Sequence, residues 1–138
     1  MIILDANVVS EAIKPEPNAS VLKWLDQQSS ETLYLTTVTV AEMEIEIGAL
    51  PDGKRKLKLE DALLGIIELF EGKILPFDLN AASHYADLAV KARSIGRGFP
   101  VPDGYIAAIA AARNFIVASR DVSAFHATGV QVIDPWNV

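Results

Sequence analysis

Residues 1–11 read MIILDANVVSE. Ile2, Ile3 and Leu4 form an unbroken apolar run, which suits a strand buried on both faces of a parallel sheet. The run ends at Asp5, and Val8 and Val9 then resume the apolar character. A strand that stops at a carboxylate and turns into a helix delivers that carboxylate to the C-terminal edge of the sheet, where open α/β sheets bind ligands. Helix capping is the competing explanation for Asp5, since Asp is a preferred N-cap residue. The choice turns on whether later segments bring more acids to the same edge.

They do. Val8–Ile13 is expected as a short helix stopped before Pro15 and Pro17, and Asn18 to Ser20 as the start of the next. Thr32–Val38 (TLYLTTV) is rich in β-branched and aromatic residues and predicts a second strand. Helical character follows over Thr39–Leu50. Thr39 with Glu42 three residues on fits a capping box, but Glu42 also stands in the first turn after a strand. Glu42 and Glu46 share a helix face at i,i+4, which is mildly repulsive unless a cation lies nearby. Lys54, Arg55, Lys56 and Lys58 form the one basic cluster, expected as a solvated helix start, with a phosphate or partner contact as the alternative. The helix Leu57–Phe70 carries an apolar stripe widened by Leu57, Leu64 and Leu69, wide enough to suggest a second apolar contact.

Gly72–Phe77 predicts a short strand, and Asp78 or Asn80 caps a helix running to about Ser94. Gly96–Pro102 is a loop by its glycines and prolines. The helix Asp103–Arg113 (DGYIAAIAAAR) puts Asp103 in its first turn, where an acid complements the helix dipole. Gly104 beside it weakens the helix and marks a close backbone approach, such as a ligand makes. Phe115–Ala118 predicts a fourth strand, followed by Ser119, Arg120 and Asp121, and Gln131–Ile133 a short last strand.

This alternation is an α/β pattern with a mainly parallel sheet. Right-handed crossovers put every strand-to-helix turn on one edge, so Asp5, Glu42, Asp103 and Asp121 are expected on a single rim. No lysine or arginine follows Asp5 or Glu42 closely in the sequence. Crowded carboxylates without cationic neighbours take up protons or bind a cation. Oxygen donors alone point to Mg²⁺, with Mn²⁺ as a substitute. Such an ion holds a substrate phosphate and lowers the pKa of a coordinated water, the requirements of metal-dependent phosphodiester hydrolysis.

The bulk numbers agree. A chain of 138 residues suffices for one domain, expected to span residues 1–138, but not two. Hydrophobic residues make up 51% and mean hydropathy is +0.27, which excludes a disordered chain. No apolar run reaches membrane-span length, and no secretory signal is recognisable. With no cysteine and two histidines, disulfides and thiolate or imidazole metal sites are excluded or poorly supplied. A soluble, cytoplasmic protein with no membrane contact is expected. The net charge of −6 and pI near 4.8 disfavour nucleic acid on long-range electrostatics and suit a basic protein partner.

Four stretches, MIILDANVVSE, TTVTVAEMEIEIGALPDGKRK, PDGYIAAIAAARNF and VASRDVSAFHATGVQVIDPW, together resemble the PIN domain. More narrowly, they resemble its VapC branch with the FitB-like toxins of toxin–antitoxin pairs. The likeness runs from Met1 to Trp136 with the motifs in order. It implies a three-layer α/β/α sandwich around a five-stranded sheet of order 3-2-1-4-5 and Mg²⁺-dependent endoribonuclease activity. It also implies homodimers, inhibition by a VapB/FitA-like antitoxin in a higher assembly, and contact with operator DNA only through that antitoxin. Asp5, Glu42 and Asp103 match the family's metal-binding acids, and Asp121 its fourth, more variable position; all four are the expected catalytic set. Two positions depart from the pattern. Ala6 stands where relatives usually carry Thr or Ser, and Ser119 is the candidate to supply the missing hydroxyl. Ala124 stands at a later acidic position, which predicts one tightly held ion rather than two. The rival reading is a catalytically weak PIN-like binding module acting through its partner complex.

Overall fold

In the computed structural model, which describes residues 1–138, the strand opened by Ile2 is the middle of the sheet. Five strands, β1 (Ile2–Leu4), β2 (Leu33–Thr36), β3 (Ile74–Leu75), β4 (Ile116–Ala118) and β5 (Val132–Ile133), lie in the order 3-2-1-4-5. Every neighbouring pair is parallel, β1 setting Ile2 against Leu33 on one side and Ile116 on the other. Alternation along β1 splits its side chains between two layers. Ile2 and Leu4 join a core with Val8, Val21, Trp24, Met43 and Leu63, whereas Ile3 joins Ile106, Ile109, Val117 and Phe125 on the opposite face.

The helices divide accordingly. On the first face lie α1 (Ala6–Ala12), α2 (Ala19–Asp26), α3 (Thr37–Gly48) and α4 (Lys54–Leu69); on the second lie α5 (Leu79–Ser94), α6 (Val101–Arg113) and α7 (Val122–Thr128). This is the expected three-layer α/β/α sandwich. Buried Ala107, Ala108 and Ala110 make α6 a helix of small side chains in the second layer. Asn18 and Asp78 cap α2 and α5 as expected, their side-chain oxygens accepting from Ser20, Val21 and Ala81 N–H. No helix is long and apolar enough to cross a membrane.

Several boundaries differ from expectation for local reasons. The run TLYLTTV stays in the ladder only through Thr36, whose hydroxyl accepts from Thr39 N–H at 3.0 Å and caps α3. The capping box on Thr39 and Glu42 is therefore absent. Thr39 is instead buried, its hydroxyl donating to the Leu4 carbonyl at 3.3 Å and tying α3 to β1. β3 keeps only two of the six residues expected for it. α6 starts at Val101, with Pro102 inside its first turn, where a missing N–H costs nothing. The helix α7 was not expected. Gly104 does mark a close approach, but by the protein itself: a Cβ there would lie 2.4 Å from the Phe99 ring. The basic cluster opens α4, as expected. Leu57, Leu64 and Leu69 of α4 point outward, 59–76% exposed, so nothing within the chain covers the widened stripe.

Candidate functional site

The last rung between β1 and β4 is the Asp5 N–H donating to the Ala118 carbonyl at 3.0 Å. Asp5 and Ser119 thus leave the sheet side by side. Asp5 is 3% exposed and caps α1, its Oδ1 accepting from Ala6 N–H at 2.8 Å. Its Oδ2 accepts from the Ser119 hydroxyl at 2.7 Å. Asp5 both caps α1 and joins the acidic group at the sheet edge, so the two sequence readings are not exclusive. Ser119, the candidate for the hydroxyl absent at Ala6, thus reaches Asp5 from the end of β4.

Asp121 stands two residues beyond Ser119, its N–H donating to Ser119 Oγ at 2.9 Å. Asp103 arrives on the first turn of α6. Carboxylate oxygens of Asp5, Asp103 and Asp121 all lie within 4.8 Å of one another. Asn7, which the sequence reading does not single out, braces this group. Its amide lies 3.5 Å from Asp5 Oδ2, 3.2 Å from Ser119 Oγ and 3.3 Å from Asp121 Oδ2, while its Oδ1 accepts from Arg120 N–H. The only signal for it was its place one residue beyond Ala6, on the first turn of α1.

Glu42 is the one expected member outside that group of three. It lines the same cavity, of about 360 Å³, with Ser10, Glu11, Lys14, Glu46, Arg120 and Trp136. Glu42 is the sixth residue of α3 instead of lying in its first turn, about 7.5 Å along the axis from the first residue at 1.5 Å per residue. Its Oε1 is buried with no hydrogen-bond partner.

No lysine or arginine forms an ion pair with any of the four acids; the two ion pairs present are Lys14–Glu11 and Lys56–Asp52. The electrostatics show the strain. Burial, then the charges of Asp5, Asp103, Asp121 and Glu46, pushes Glu42 up to about 7. Burial, then Asp5 and Asp121, pushes Asp103 up to about 6. Burial also raises Asp5, partly offset by the Ser119 and Ala6 hydrogen bonds. Such a set of convergent oxygens, with one buried oxygen left unpartnered, fits a hard divalent cation. Three carboxylates would hold it, with Glu42 beside them.

Residues 2–130 match the PIN domain. The chain is 47% identical to the VapC ribonuclease Y4jK of Sinorhizobium fredii, over 99% of this chain and 98% of that one. It is 43% identical to the toxin FitB of Neisseria gonorrhoeae, over 99% of each. The solved structure of FitAB bound to an IR36 DNA fragment superposes with a TM-score of 0.94 at 42% identity, covering 100% of this chain and 97% of that one.

Proposed function

The chain belongs to the PIN-domain family, in its VapC/FitB branch, and on that footing we propose that it is a Mg²⁺-dependent endoribonuclease, the toxin of a VapBC-type toxin–antitoxin pair. The observation that carries this reading is the group of Asp5, Asp103 and Asp121, drawn together from β1, α6 and the end of β4 with no cation of the protein to neutralise them. These three residues hold the ion, with Mn²⁺ as a substitute, and Glu42 completes the acidic wall. When bound, the ion supplies positive charge to an RNA phosphate and lowers the pKa of a coordinated water. The protein's own part is positioning and proton handling. Ser119 and Asn7 fix the Asp5 and Asp121 carboxylates. Glu42, poised near neutrality, is placed to accept the proton of an attacking water.

The relatives' names carry the partners. FitB is named a toxin and FitAB is solved on DNA. This chain accordingly binds a VapB/FitA-like antitoxin, and reaches operator DNA through it. Pairing of two copies is consistent with the outward leucines of α4.

The test is RNA incubated with purified protein and Mg²⁺, against the same mixture with EDTA. Cleavage is expected only with the metal. Asp5→Asn and Asp103→Asn are expected to lower the rate on the order of a hundredfold or more, because even groups behind metal ligands cost tenfold to a hundredfold. Circular dichroism should show the fold retained. Cleavage by either variant at the parent rate removes these residues from the site. No cleavage with any divalent ion leaves a binding module.

A further inference from the structure

The cavity is lined by six carboxylates and two cations, Lys14 and Arg120. Lys14 is already engaged, its Nζ 3.0 Å from Glu11 Oε1. Arg120 is not. It forms no ion pair although it adjoins Asp121 in the chain, and its guanidinium carbon lies 4.3 Å from the centre of the Trp136 ring. The backbone on both sides of this contact is anchored. The Arg120 N–H donates to Asn7 Oδ1 at 3.3 Å, so its backbone moves with the carboxylate group. The Trp136 backbone N–H donates to Asp134 Oδ1 at 2.9 Å, and the Ser20 hydroxyl of α2 donates to the Pro135 carbonyl at 3.0 Å.

The Arg120 side chain makes no hydrogen bond beside this cation–π contact, so its N–H donors are free, and a guanidinium edge matches a phosphate with two parallel hydrogen bonds. A cavity this acidic, on a chain of net charge −6, repels the parts of a polyanion that lie beyond the bound ion, and a free cation on its wall offsets that repulsion. We infer that Arg120, held against Trp136, binds a backbone phosphate of the RNA strand entering the site. The inference rests on the nuclease reading above and names a substrate-contacting residue for it. Phosphate contact gives affinity without base preference.

Arg120→Gln removes the charge and the fork. It is expected to raise KM for RNA cleavage about tenfold, with kcat changed far less. Binding of labelled single-stranded RNA, followed by anisotropy in an Asp103→Asn background, should weaken in step. The slope of log affinity against log salt should flatten by about 0.7, the value of one phosphate contact on a single strand. Arg120→Lys should keep the slope and recover part of the affinity. A role confined to covering the indole would leave KM and the slope unmoved. Unchanged KM and slope in Arg120→Gln, while Asp103→Asn still abolishes cleavage, overturns the assignment and leaves the nuclease standing. A parent protein that neither binds nor cuts RNA with Mg²⁺ or Mn²⁺ overturns both.

Discussion

Ser119 shows how much of the site depends on one uncharged atom. Fully buried, its hydroxyl donates to Asp5 Oδ2 and accepts from the Asp121 N–H. The bond to Asp5 favours the ionised carboxylate and opposes the burial that raises its pKa. Ser119→Ala removes that opposition, so Asp5 holds its proton to higher pH. The expected result is a lower kcat/KM at neutral pH, by about tenfold to a hundredfold for a group that supports a ligand. The acid limb of the pH–rate profile should also move to higher pH, as the free enzyme's essential groups dictate. A variant with the parent's rate and an unmoved limb would show that the bond has no part in the chemistry.

Among the elements, α3 is the one whose position matters most, because its start sets where Glu42 stands. Thr36 is fully buried and its hydroxyl caps the helix through Thr39 N–H. Thr36→Val keeps the shape and deletes the cap, leaving a buried N–H without a partner. The loss should be about 1–2 kcal/mol, read as a lower urea midpoint at constant m-value. A change below about 0.3 kcal/mol would mean that the cap does not hold the helix start, since cap substitutions in general cost more than this. The same element marks the limit of what the sequence discloses. The apolar run of β1 and the convergence of Asp5, Asp103 and Asp121 on one rim were legible because burial on both faces and right-handed crossovers leave little choice, whereas the strand order came only with the family resemblance. The start of α3 was not. Thr is both a good strand residue and a good cap, so TLYLTTV carries two readings and only the fold selects between them. α7 was hidden for a similar reason, being seven residues long and too short for helical periodicity to declare itself.

At the scale of the whole molecule, the acidic rim is a strain in the metal-free fold that a bound cation would relieve. Glu42 rises from 4.5 to about 7 and Asp103 from 3.8 to about 6 on folding. Between its unfolded and folded pKa, each group is protonated in the native state and ionised in the unfolded one. The native state therefore binds more protons, and stability falls as pH rises across that interval. The contribution is fully present below about pH 4, where both states are protonated, and lost once pH passes about 7. In EDTA, these groups should make the protein melt at a lower temperature near pH 8 than near pH 5. Glu42→Gln should narrow that difference, since it removes the carboxylate raised to about 7, whose proton is lost between the two pH values. On the proposed function, Mg²⁺ would compete with protons for the same oxygens, so its effect should run the other way. An ion present at 100 times its Kd stabilises by about 2.7 kcal/mol, and that gain should be large near pH 8 and small near pH 5. Thermal melts with and without Mg²⁺ at the two pH values read both trends. A Mg²⁺-induced rise in Tm as large at the lower pH as at the higher would mean that the ion binds elsewhere than on these strained carboxylates.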